Sequence, residues 1–273
     1  MLKVLSIIIE QFYEKKWSLL LFGGAVGLMG LAVVAMLEYL DIGAYAIIFE
    51  SMPEFIDFFG GLVAFTTPYG FVGIELFAFM WIFVGIFLVY MASSSALPIE
   101  IENKTIDLIL SKPISRSSYL AGKIGFLYLY TAGLIGIVVA FVGAGMATSP
   151  TFIDFGLHWD RLFVVYVVVV LHLGTMVMTA LLFATIFLDT KKTMGATMMI
   201  TFLMFFIGSF WQYFPEALQG IKYASTWFYY NPMDLFGMGI FDNLLQDILV
   251  LGVVNVVLIV ASLLIFRRRD IPV

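Results

Sequence analysis

The sequence predicts an all-α membrane protein with six transmembrane helices and both chain ends in the cytoplasm. Three observations predict it: a composition that cannot cover itself in water, six apolar stretches of spanning length, and a one-sided distribution of lysine and arginine. Hydrophobic residues make up 62% of the 273 residues and charged residues only 12%. Soluble domains carry about 25% charged residues, so the apolar surplus here must face lipid. The net charge of -5 offers no basic surface, which argues against a nucleic-acid partner. With no cysteine there is no disulfide framework and no thiolate metal site.

A transmembrane helix needs about 20 mostly apolar residues. Six stretches reach that length, near 17–37, 71–92, 124–147, 162–188, 193–211 and 248–266. They predict a single transmembrane domain over 1–273 with no separate soluble domain. Basic residues of short loops stay on the cytoplasmic side. Lys3, Lys15 and Lys16 precede the first stretch; Lys104, Lys112, Arg116 and Lys123 lie between the second and third; Lys191 and Lys192 lie between the fourth and fifth; Arg267, Arg268 and Arg269 follow the sixth. Of the 14 basic residues only Arg161 and Lys222 fall on the other side. The opposite loops carry the acids, among them Glu38, Asp41, Glu50, Glu54, Asp57, Asp154, Asp160, Glu216, Asp234, Asp242 and Asp247.

The longest pieces outside the spans, 38–70 and 212–247, are too short for independent cores but are apolar for loops. Segments 44–49, 55–65 and 223–230 suit short helices lying at the outer membrane face or dipping into it, where tryptophan and tyrosine are favoured. Before the first span, Leu2, Leu5, Ile9 and Phe12 recur at helical spacing opposite Lys3, Ser6, Glu10 and Glu14. This predicts an amphipathic N-terminal interfacial helix; the plainer alternative is an extension of the first span. Residues 1–14 carry acids and lack a small-residue cleavage site, unlike a signal peptide.

The inner loop between spans two and three carries the most information. Ile101, Thr105, Leu108 and Ile109 fall on one helical face, with Glu100, Asn103, Lys104, Asp107 and Ser111 opposite. A short amphipathic helix follows. Pro113 disfavours helical geometry at Lys112, so that helix should end there, and Ser115 with Ser117 or Ser118 can cap the helix that leads into span three.

Glu102, Thr105, Ile106, Asp107, Leu108, Ile109, Leu110, Ser111, Pro113, Ile114, Ser115, Arg116, Gly122 and Lys123 match a known signature. The run resembles the cytoplasmic motif of permease subunits of ABC-2 type ABC transporters, in which an acid precedes T-L-E-L-L-L-S-x-P-[IV]-S-R and a G-K follows. Lys104 departs from it, standing where the family usually has glycine. More weakly, Trp227 to Met233 is similar to the family's aromatic-proline stretch and Phe266 to Asp270 to its basic tail. The chain resembles most the small copper-maturation, sodium-export and gliding-associated permeases.

The resemblance implies a cytoplasmic coupling helix that docks a separate ABC ATPase subunit through Glu100, Glu102, Thr105, Asp107, Leu108, Ile109, Leu110, Pro113 and Arg116. It further implies two ATPase copies, a second permease copy (the same chain or a close relative), and ATP with Mg bound by the ATPase. An extracytoplasmic accessory protein and the surrounding lipid are the remaining expected partners. The chain has no G-x-x-x-x-G-K-[ST] sequence, so no phosphate cradle of its own is expected. The action implied is export of a hydrophobic or amphipathic compound, or delivery of ATP energy to an extracytoplasmic partner.

Ionisable groups within spans are functional candidates because they are costly in hydrocarbon. Two stand out as pathway candidates, His172 near the middle of span four and Glu75 about one turn into span two. The structural alternatives are an imidazole hydrogen-bonded to a neighbouring helix and a carboxylate that reaches water. His158 and Asp160 lie close together in an outer loop, but the chain's two histidines give no ligand spacing for zinc or copper. Gly23, Gly24, Gly27 and Gly30 on span one suit a close helix contact, a dimer interface being one option. Two other classes compete: a secondary transporter or channel driven by an ion gradient, which would need more buried ionisable sites, and a membrane enzyme, for which no H-E-x-x-H or G-x-S-x-G is present.

Overall fold

Peptide groups have no water to bind in hydrocarbon, so spanning segments must close their hydrogen bonds internally. The computed structural model describes residues 2–40, 66–79, 81–95, 97–103 and 115–269, and every regular element among them is helical. Six helices are long and apolar enough to cross a membrane: Val4–Met36, Pro68–Ser94, Arg116–Thr148, Trp159–Phe187, Thr190–Tyr213 and Leu244–Arg268. These are spans one to six. The first turns of the first helix and the end of span six lie at one end of the bundle, where Arg116 Nη1 donates to the Arg269 carbonyl (2.7 Å) and Lys123 Nζ donates to Gln11 Oε1 (3.2 Å). This is the terminal end; the other is the far end.

Span four is the central helix, packed against spans two, three, five and six, while span one leans mainly on span three. The glycine stripe of span one explains that second contact. A Cβ at Gly27 would fall 2.6 Å from the Phe141 ring and one at Gly30 2.9 Å from Val142, so the two backbones approach only because those side chains are missing. The stripe is thus consumed inside the chain rather than at a dimer interface, although Gly24 meets nothing within 4 Å.

One expectation is corrected, one is met and one is met in part. The N-terminal segment is not a separate interfacial helix: Leu2–Met36 is one helix of 35 residues, about 52 Å long. No glycine or proline interrupts it before Gly23, and Ile7 and Ile8 seat it on Gly122 and Gly125 of span three. Span three, in turn, begins at Arg116, eight residues before the apolar run. Ser115 caps it, its Oγ accepting from the Ser118 N–H at 3.2 Å, so helical geometry sets in as soon as the cap allows. The third concerns 223–230. A 3-10 helix covers Glu216–Ala224, but the chain then turns inward at Ser225, whose Oγ donates to the Met204 carbonyl (2.5 Å) and accepts from the Trp227 N–H (3.1 Å). Segments 44–49 and 55–65 lie outside the described residues.

Span two is irregular in its far half. Thr67 caps it with Pro68 in the first turn, and the helix then widens into π-helical turns over Gly73–Ala78 and Trp81–Gly85 before becoming regular at Ile86–Ser95. Such widening leaves carbonyls short of their usual partners. One of them, that of Phe77, accepts from the Tyr230 hydroxyl at 2.6 Å. A third π-helical stretch, Met233–Met238, packs directly on this region, with Gly73 and Gly237 facing each other.

Candidate functional site

Two groups of residues concern function, one at each end of the bundle. At the terminal end, the helix Leu97–Glu102 opens the inner loop and presents Glu100 to span three. Lys123 Nζ lies 2.9 Å from Glu100 Oε1, and the Tyr119 hydroxyl donates to Glu100 Oε2. Lys123 is 3% exposed and Glu100 14%, so both charges leave water and each needs the other. The second bond of Lys123, to Gln11, draws the first helix into the same cluster.

Glu102 points elsewhere. Its Oε1 accepts from the Thr190 N–H at 2.8 Å, where span five starts, and Asp189 beside it accepts from the Lys192 N–H at 2.7 Å. Carboxylates at a helix N-terminus satisfy orphan N–H groups and oppose the helix dipole favourably. Arg116 closes the loop on its other side through the Arg269 carbonyl at the end of span six. The flanks of the inner loop are therefore tied to spans one, three, five and six. Thr105, Asp107, Leu108, Ile109, Leu110 and Pro113, like Lys104 and Lys112, lie outside the described residues, and so does the body of the expected coupling helix.

At the far end, the segment from Ser225 to Met238 re-enters the bundle. Tyr230 stacks on His172 with ring centroids 4.3 Å apart and planes within 6°, and Trp227 meets the same imidazole edge-on at 4.4 Å. His172 is fully buried. Among the described residues neither ring nitrogen has a hydrogen-bond partner. The imidazole is thus held by aromatic faces rather than by a neighbouring spanning helix. Glu75, by contrast, sits in the first π-helical stretch of span two with its side chain exposed, so the two pathway candidates are not brought together.

Between the re-entrant segment and the start of span six lies a cavity of about 290 Å³, whose walls include Tyr223, Asn231, Asp234 and Asp247. Burial pushes the Asp234 carboxyl above the ordinary range. Asn231 donates to it at 2.5 Å. His158 Nδ1 stands 3.9 Å from Asp160 Oδ1, both exposed, and among the described residues no three His, Asp or Glu gather as a metal site.

Sequence reasoning missed two polar links within the spans. Lys123 counts as a loop charge until the helix is known to start at Arg116. Asn255 lies in an unbroken apolar run, yet the Tyr128 hydroxyl donates to its Oδ1 while its Nδ2 donates to the carbonyls of Leu171 (3.0 Å) and Leu251 (2.8 Å). It joins spans three, four and six. Its signal was simply a lone asparagine in a transmembrane helix, which seldom goes unpaired.

Comparison with protein families gives one match, to the family described as ABC-2 family transporter protein, over residues 19–271. Comparison with curated proteins gives none. The matched stretch takes in the second half of span one, spans two to six and the inner loop between spans two and three, and the chain therefore belongs to the ABC-2 transporter family as a membrane permease.

Proposed function

We propose that this chain is the permease subunit of an ATP-driven ABC exporter, with its terminal end in the cytoplasm and loop 100–116 docked on a separate ATPase. Two permease copies and two ATPase copies, the latter binding ATP and Mg, make the working unit, and 1–273 acts as one domain. The cargo is hydrophobic or amphipathic, or the stroke is delivered to an extracytoplasmic partner.

One observation carries the reading. The residues flanking the loop are bonded to four spans at once: Glu100 to Lys123 and, through it, to Gln11; Glu102 to the Thr190 N–H; Arg116 to the Arg269 carbonyl. A displacement imposed on this loop would reach those spans through short polar links rather than through slack chain. An amphipathic helix between such anchors can bury Leu108 and Ile109 in a groove of a partner and leave its polar face to charged groups.

The test is co-expression with the candidate ATPase, co-purification, and hydrolysis measured in liposomes. Leu108→Asp and Ile109→Asp should keep the membrane fold but abolish co-purification and cargo-stimulated hydrolysis. Unchanged coupling in both variants would remove the docking assignment. Because the chain has no cysteine, single cysteines at Ser115 and Asp160 report orientation: the first should label from the cytoplasm and the second from outside.

A further inference from the structure

Glu75 lies about two turns inside span two, counted from Pro68, on the border of a crevice between spans one and two of about 220 Å³. Every other side chain lining the crevice is apolar, including Phe22, Val26 and Met29 of span one and Leu76 and Phe83 of span two. It opens sideways, since Met29, Phe79 and Phe83 are exposed in the isolated chain. A carboxylate at this depth is costly in hydrocarbon unless a cation or a donor meets it. Among the described residues none does, and the side chain stands exposed at the mouth of the crevice. The two basic side chains of the far end are engaged elsewhere, Arg161 with the Gly237 carbonyl (3.2 Å) and Lys222 over the Trp211 ring (3.5 Å).

We infer that this crevice binds a lipophilic monocation from the lipid phase, such as a protonated hydrophobic amine or a phosphonium, with its charge on Glu75 and its apolar groups between Phe22 and Phe83. Charge complementarity selects the occupant. Among the described residues the crevice offers one carboxylate and no counter-charge, and the apolar walls reward a ligand that carries its cation on a greasy body. Aromatic faces beside the carboxylate add to the preference for a cation. The inference deepens the export reading by naming a cargo class, yet the binding itself requires neither ATP nor the ATPase.

Binding of radiolabelled tetraphenylphosphonium to the full-length chain in phosphatidylcholine nanodiscs, with empty nanodiscs subtracted, tests it. Saturable binding should weaken about tenfold or more in Glu75→Gln and survive in Glu75→Asp. Neutral tetraphenylmethane should not compete. Val26→Trp, which fills the crevice and leaves the charge in place, should also abolish binding and decides the matter should Glu75→Gln not fold. Binding equal to that of empty nanodiscs, binding unchanged in Glu75→Gln and Val26→Trp, or loss of binding only in step with loss of a dimer would overturn the assignment. The last outcome would mean that a second copy covers Glu75. Failure here leaves the Leu108→Asp result untouched, so the two readings fall separately.

Discussion

Lys123 Nζ and Glu100 Oε1 stand 2.9 Å apart, an ion pair that joins the start of the inner loop to the second turn of span three with almost no access to water. Breaking a buried pair by removing one partner strands the other charge and costs about 3–5 kcal/mol. Lys123→Met should therefore destabilise the protein by about that much, and the double variant Glu100→Gln/Lys123→Met should recover part of the loss. Unfolding of the purified chain in detergent measures it. Strictly additive losses would mean that the pair is not coupled. The same variants should weaken ATPase coupling while the transport-inactive bundle remains folded, because the link between loop and span is what they remove.

How legible this was in the sequence varies by residue. The spanning helices are announced by length and apolarity, since hydrocarbon admits little else. Ser115 is readable as a cap because serine before a helical run with an N–H three residues on has one obvious use. Lys123 is not readable as buried, because its burial depends on Glu100 and Gln11 arriving from two other segments. His172 is conspicuous in sequence, but that its partner is the face of Tyr230 follows only from the inward turn at Ser225, which the aromatic run at 227–230 suggests without fixing. Glu75 is equally conspicuous, yet its neighbours on span one come from packing and not from spacing. The pairing of spans one and three is the opposite case: Gly23, Gly27 and Gly30 show that something comes close, and only the fold says that it is Phe141 and its neighbours.

A second prediction concerns pH at the far end. Glu38, just past span one, accepts hydrogen bonds from the Ser149 hydroxyl and from the Thr151 N–H at 3.3 Å. The Ser149 bond, chiefly, holds its carboxyl below the ordinary 4.5. A group whose folded value is depressed stabilises the fold above its unfolded value and loses that contribution as pH falls through the folded value. Glu38→Gln should then melt below the native chain at pH 7, and the gap should close as pH is lowered from 4.5. Melting temperatures of both chains across that window check it. A gap that stays constant to pH 3 would show that the charge of Glu38 contributes nothing.

The last prediction concerns the re-entrant segment. Span five makes room for it at Gly208, where an added Cβ would lie 2.4 Å from the Trp227 Cβ, 2.7 Å from the Ser225 Oγ and 2.9 Å from the Phe228 backbone nitrogen. A backbone atom cannot step aside as a flexible side chain does, so even alanine must push the segment outward, at a cost of about 1–3 kcal/mol. Tyr230→Phe is the milder perturbation: it removes the bond to the Phe77 carbonyl, worth about 1 kcal/mol, and leaves the ring stacked on His172. Thr226→Cys gives a reporter in a chain with no other cysteine. Its labelling by a water-soluble maleimide should be slow alone, faster with Tyr230→Phe and fastest with Gly208→Ala, with melting temperatures falling in the same order. Equal labelling rates in all three backgrounds would mean that Gly208 and Tyr230 do not hold the segment in place, and that its burial against His172 is maintained by the aromatic contacts alone.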